Sequence, residues 1–203
     1  MVQYREGSID DLETIYLGIV LEFQENERKT REQLSQLLMR DDYILLVAED
    51  HEGDNIQQIG FSCLYVPENE DFIWLDYLMI ENTYQGKGYG SLFFNEIMRR
   101  WSDRKGMFIE IEIPIGGSVN QDRRITYYER LGAQRLPIKY HLPTEIDEMA
   151  MNLYYKPKSG IIQLKPDDIK RAIMLANKTI HWDHANLESV WEKNRLIDKA
   201  AKH

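Results

Sequence analysis

The chain of 203 residues is 43% hydrophobic and 29% charged, the balance of an ordinary folded protein large enough for one sizeable core. Its formal net charge of -9 argues against duplex DNA or RNA as a partner and favours cationic or amine-bearing substrates. No run approaches the ~20 apolar residues of a membrane span. Charges stand near the N-terminus where a secretory signal needs an apolar stretch, and the single cysteine, Cys63, permits no internal disulfide, so a cytoplasmic protein is expected.

In chain order, a short strand is predicted over Val2 to Arg5, and Ser8 caps a helix carrying Leu12, Ile15, Tyr16, Ile19 and Phe23. Thr30 and Gln33 have the spacing of a capping box ahead of Leu34, Leu37 and Leu38, a second short helix. Tyr43 to Glu49 and Ile56 to Val66 flank a polar turn at His51 to Asp54 and read as a hairpin, with Cys63 as a strand residue. Trp74 to Ile80 follows as a strand buried on both sides. The glycine cluster Gln85-Gly86-Lys87-Gly88-Tyr89-Gly90 comes next, then an amphipathic helix from Ser91 to Trp101.

Met107 to Pro114 alternates strictly, with Phe108, Glu110 and Glu112 on one face. Asp122 to Leu131 reads as a helix ended by Gly132. Two more strands are expected over Gln134 to Leu142 and Met149 to Tyr155. A helix pair closes the chain, one helix opened by Pro166 with Ile169, Ala172, Ile173, Ala176 and Ile180 on one face, the other carrying Leu187, Val190, Trp191 and Ile197.

Strand, glycine loop and helix together make a place for phosphate. Glycine takes positive φ at no steric cost and, having no Cβ, lets an anion approach the amides at a helix N-terminus that lack intrahelical partners. The spacing fits neither the nucleotide-triphosphatase loop nor the dinucleotide fingerprint.

What stands here, Gln-x-x-Gly-x-Gly, resembles the pyrophosphate-binding signature of the Gcn5-related N-acetyltransferases (GNAT), which bind acyl-coenzyme A at this loop. Tyr127-Tyr128-Glu129-Arg130-Leu131-Gly132-Ala133 is similar to that family's late helix, and the order of elements from about residue 2 to 156 agrees. The resemblance implies an α/β (α+β) GNAT fold: a mixed central sheet of six to seven strands with flanking helices, here followed by the C-terminal pair. It divides the chain into an acyltransferase domain, 1–157, and a helical extension, 158–203. The chain departs from the family pattern at Gln121 and Arg124, where Asn and a small residue are usual, and in a longer loop from Ile115 to Asn120.

The activity so implied is N-acyl transfer from acetyl-CoA or another acyl-CoA, a co-substrate, to a primary amine of a small molecule or peptide. Fatty acylation of a lysine or ornithine side chain in a peptide is an alternative, as is a non-catalytic acyl-CoA sensor. By the resemblance, amides near Met79 and Ile80 hold the acyl end. Gln85, Gly86, Lys87, Gly88, Tyr89 and Gly90 hold the pyrophosphate, with Arg124 toward the 3′-phosphate. Tyr128 is the proton donor to the leaving thiolate, Tyr127 the packing neighbour. The base is Glu112 or, in competition, Asp76.

Glu110 shares the face of Glu112. Two carboxylates at this spacing either raise one pKa, which suits a base, or mark a solvated strand face. His181-Trp182-Asp183-His184 lacks the ligand set of a metal site, and no metal is expected. The amphipathic closing helices need a surface: this subunit's core, a second subunit in a homodimer, or the acceptor cleft.

Overall fold

The computed structural model describes residues 1–23, 28–114, 116, 119–144, 147–160, 164–184 and 186–195. Two compact units divide the chain, Met1–Arg104 and Lys105–His203. The closing helices fall within the second unit.

In the first unit four strands pair in sequence order, all antiparallel: β1 (Val2–Glu6), β2 (Tyr43–Glu52), β3 (Asn55–Tyr65) and β4 (Phe72–Ile80). Ser8 caps a short 3-10 turn at Ile9–Asp11 that runs into α1 (Leu12–Glu22). The capping box opening α2 (Arg31–Leu38) is reciprocal: Gln33 N donates to Thr30 Oγ1 at 3.2 Å and Thr30 N to Gln33 Oε1 at 2.6 Å. Those bonds satisfy helix-end donors that water would otherwise have to reach. The helices bury Ile15, Ile19, Leu34 and Leu37. Helix α3 (Tyr89–Arg100) buries Phe93, Phe94 and Ile97, and the Phe93 ring stacks on Tyr4 of β1 at 5.1 Å.

In the second unit β8 (Glu148–Pro157) is the organising strand. It pairs antiparallel with β5 (Gly106–Glu112), with β6 (Gln134–Arg135) and with β7 (Tyr140–Pro143). The eight strands among the described residues exceed the expected six to seven, because the stretch from Gln134 to Leu142 is two strands. Pro137 offers no backbone N–H to a ladder and breaks the run. Helix α4 (Val119–Arg130) ends in a left-handed Gly132, φ 86°, with Ala133 N returning to Tyr128 O at 3.0 Å. That is the glycine closure its sequence predicts.

Helices α5 (Pro166–Ile180) and α6 (Leu187–Arg195) complete this unit. Ala172, Ile173, Ala176, Ile180 and Val190 are buried by the chain itself. Each large side chain so covered contributes about 1.5–3 kcal/mol, which is why the pair docks. Asn194 of α6 behaves toward β7 as a strand would: its Oδ1 accepts from His141 N at 3.0 Å and its Nδ2 donates to His141 O at 2.9 Å. Ile197, expected in the second helix, and Ile115, Gly117 and Ser118 of the expected loop lie outside the described residues.

Candidate functional site

In the first unit the candidate residues run from the middle of β4 into α3. Glu81 N donates to Ile59 O of β3 at 2.9 Å. Strand alternation therefore turns the Met79 N–H toward β3 and the Ile80 N–H toward the other edge of β4. Of the two amides singled out for an acyl group, Ile80 is the one outside the β3 ladder. Gln85 Nε2 donates to Ile80 O at 2.9 Å, so this side chain ties the glycine loop to the end of β4.

The loop needs its glycines. Gly86 and Gly88 have φ of 74° and 89°, the left-handed region, and no atom lies within 4 Å of where a Cβ would stand on either. Gly88 is the N-cap of α3 and brings no side chain to cap it. The first intrahelical bond runs from Leu92 N to Gly88 O at 3.1 Å, so the amides of Tyr89, Gly90 and Ser91 precede any intrahelical acceptor. Bare amides, positive dipole end and room for close approach are what a pyrophosphate requires. Lys87 adds a cation, its Nζ 5.3 Å from the Tyr84 ring centroid.

Asp76 lies earlier on β4 and is already engaged. Lys29 Nζ donates to its Oδ1 at 2.8 Å, both side chains being 5% exposed, and the Tyr43 hydroxyl donates to its Oδ2. The Lys29 ammonium also lies 4.8 Å from the Tyr77 ring centroid, and Lys29 N donates to the Tyr77 hydroxyl at 3.1 Å. Burial, with the Asp76 charge adding to it, pushes the Tyr43 hydroxyl well above its ordinary value. Burial likewise raises Cys63, which makes a thiolate nucleophile there unfavourable.

In the second unit β5 and α4 bring together three of the expected residues. Glu112 ends β5 at 7% exposure. Its Oε1 accepts from Arg124 Nη1 of α4, while its Oε2 is buried with no hydrogen-bond partner among the described residues. Arg124, expected toward a phosphate, is thus committed at one nitrogen to the carboxylate. Tyr128, one turn further along α4, is buried. Burial raises its hydroxyl above the usual tyrosine range, Arg124 opposing the shift and Glu112 adding to it. Tyr127 packs edge-on against it at 4.9 Å. Glu110, on the same face of β5, accepts from the Tyr140 hydroxyl.

Sequence reasoning missed Lys29, Tyr43 and Tyr140. Basic side chains at and just beyond the end of α3 are used locally: Arg99 pairs with Glu96 at 2.7 Å, and Arg104 Nη1 donates to Glu68 O at 3.3 Å. No helix among the described residues is long and apolar enough to cross a membrane.

Residues 41–132 match the family described as acetyltransferase (GNAT) domain. Among solved structures, a protein assigned to the GNAT acetyltransferases from Bacteroides thetaiotaomicron aligns with TM-score 0.69 at 18% identity, over 88% of this chain and 97% of its own. The ribosomal-protein-S18-alanine N-acetyltransferase of Escherichia coli aligns with TM-score 0.59 at 15% identity, over 81% and 99%. The spermidine N-acetyltransferase of Vibrio cholerae, solved in complex with CoA and spermine, aligns with TM-score 0.59 at 15% identity, over 78% and 96%. At such identities the likeness carries the fold. No curated protein matches the chain by sequence.

Proposed function

The chain belongs to the GNAT acetyltransferase superfamily, and from that premise we propose that it moves the acetyl group of acetyl-CoA to a primary amine, with Glu112 as base and Tyr128 as acid. Acetyl-CoA supplies the thioester. The residues present fit it: the α3 N-terminus with Gly86 and Gly88 offers uncapped amides and open space to a pyrophosphate, and Lys87 offers charge. Gln85 acts on the loop rather than on the phosphate, through its bond to Ile80 O. The Ile80 N–H, turned away from β3, serves the carbonyl oxygen as charge develops there.

The observation that carries the reading is the buried Glu112 carboxylate, ionically held by Arg124 at one oxygen and with no hydrogen-bond partner among the described residues at the other. A buried acceptor without a donor is unfavourable by about 1–3 kcal/mol, a cost that an incoming ammonium removes. Glu112 then takes a proton from that ammonium. The amine attacks the thioester carbon and the C–N bond forms; as the C–S bond breaks Tyr128 protonates the departing sulfur, and the surplus proton on the new amide nitrogen goes to the Tyr128 oxygen, restoring the hydroxyl. A hydroxyl with a raised pKa keeps its proton until the thiolate needs it.

Asp76, with both oxygens satisfied, is assigned a structural role. Arg124 is assigned to Glu112 in place of the cofactor's 3′-phosphate. A sensor that only binds acyl-CoA has no use for a buried carboxylate beside a buried tyrosine.

Spermidine and a peptide beginning with alanine are the acceptor probes, on the strength of the Vibrio and Escherichia neighbours and of the net charge of -9. Incubated with acetyl-CoA and either probe, the wild-type protein should release free CoA and acetylated amine in equal amounts, read by mass spectrometry. Binding of acetyl-CoA without transfer to either probe overturns the reading.

A further inference from the structure

The closing helices were expected to cover apolar surface, and they do. One residue on the buried face of α5 has no such explanation. Asn177 stands between Ile173, Ala176 and Ile180 and is 1% exposed. A buried amide in an apolar stripe is unfavourable unless it is bonded.

Its Oδ1 lies 3.4 Å from the Tyr140 hydroxyl, while its Nδ2 has no partner among the described residues. That hydroxyl already donates to Glu110 Oε1. A phenol has one proton, so it cannot donate to the amide oxygen as well. Turning the amide over, which exchanges nitrogen and oxygen without changing shape, lets Nδ2 donate to the Tyr140 oxygen instead. The bonds then run in one direction, Asn177 to Tyr140 to Glu110, and end on a carboxylate.

The sheet register says where this relay acts. Glu112 of β5 and Tyr140 of β7 are both partnered with Met151 of β8, so the three form one row across the strands and share a face. Glu110 precedes Glu112 by two residues on that face, roughly 7 Å along the strand. Two carboxylates so placed repel when both are desolvated, and the Arg124 guanidinium pairs with Glu112. Tyr140 occupies Glu110 and leaves the guanidinium to Glu112.

We propose that Asn177 is a positioning residue for acyl transfer: through Tyr140 it holds Glu110 in place, so that Glu112 keeps its pairing with Arg124 and its aim. The extension is thereby part of the catalytic machinery. This inference rests on the assignment of Glu112 as the base.

The test is a double-mutant cycle with acetyl-CoA and whichever of the two amine probes the wild type acetylates. Asn177→Leu and Tyr140→Phe should each lower kcat by about ten- to a hundredfold, the scale of a catalytic group misplaced by about 1 Å. KM for acetyl-CoA should stay within about twofold, since a lost transition-state interaction falls on kcat. The double variant should be no worse than Tyr140→Phe alone, because residues in one relay do not add. Asn177→Asp, which keeps the shape and loses the donor, should behave as Asn177→Leu does.

Wild-type kcat in Asn177→Leu, multiplying effects in the double variant, or wild-type kcat in Asn177→Asp would each overturn the relay. Should Asn177→Leu fail to fold, Asn177→Asp and Tyr140→Phe decide the matter. Glu112→Gln, assayed alongside, separates the two failures. Full turnover in that variant, or no transfer by the wild type, brings down the base assignment and the relay with it; lost turnover there beside unaffected relay variants brings down the relay alone.

Discussion

Replacing Asp76 by Asn separates a structural carboxylate from a chemical one. The change takes the Asp76 anion away from the Lys29 ammonium, 5% exposed, while the new amide oxygen still accepts from Tyr43. Breaking a buried pair from one side costs about 3–5 kcal/mol. The retained hydrogen bond puts the expected loss at the lower end, about 3 kcal/mol. In a chain of this length that lowers the midpoint of thermal unfolding by about 6–12 °C.

Removing the ammonium as well, in Lys29→Met with Asp76→Asn, leaves no uncompensated charge and should restore stability to within about 1 kcal/mol of wild type. Calorimetry reads both variants, and CoA release read below the lowered midpoint should show kcat within about tenfold of wild type. An Asp76→Asn protein as stable as wild type but without turnover would refute the reasoning and hand the base role to Asp76.

Gly88→Asp should abolish acetyl-CoA binding by calorimetry while the fold survives: space for the side chain is open, but a carboxylate beside the amides repels phosphate, and φ of 89° strains any L-residue by about 1–2 kcal/mol. Near-normal affinity there removes the pyrophosphate assignment. Tyr128→Phe should lower kcat about a hundred- to ten-thousandfold with acetyl-CoA affinity little changed, and equal turnover would leave the tyrosine with packing alone. Tyr43, Tyr77 and Tyr128 all hold their protons above the ordinary 10.0 because they are buried. Above that pH the unfolded chain has released protons that the native one retains. Stability should therefore fall as pH rises beyond 10, by about 1.4 kcal/mol per unit for each tyrosine, and stay level below; urea midpoints that do not move between pH 9 and about 11 would contradict this.

What the sequence made legible is local. The Thr30–Gln33 capping box, the β2–β3 hairpin, the left-handed glycines after β4 and the face shared by Glu110 and Glu112 all follow from spacings of a few residues. The break at Pro137 was missed, although a missing N–H ends a ladder and the signal stood in the sequence. Partners distant in sequence were not legible: Lys29 and Asp76 are 47 positions apart, and Tyr140 and Asn177 are 37. No periodicity encodes such meetings. Asn177 did leave a trace, a polar residue inside an apolar stripe, but the trace names no partner. Gln85 is a related case: its motif places it at the phosphate and says nothing of the bond its amide makes to the strand before it.

The most direct test of the account is the pH dependence of kcat/KM for the wild type, Glu112→Gln and Asp76→Asn, with acetyl-CoA and an acetylated probe amine. The wild type should rise along an acidic limb, as a reaction that uses a general base does. Asp76→Asn should keep that limb, whereas Glu112→Gln should lose it and fall by about a hundred- to ten-thousandfold at neutral pH. A Glu112→Gln protein with the wild-type limb and wild-type kcat/KM would contradict the account at its centre.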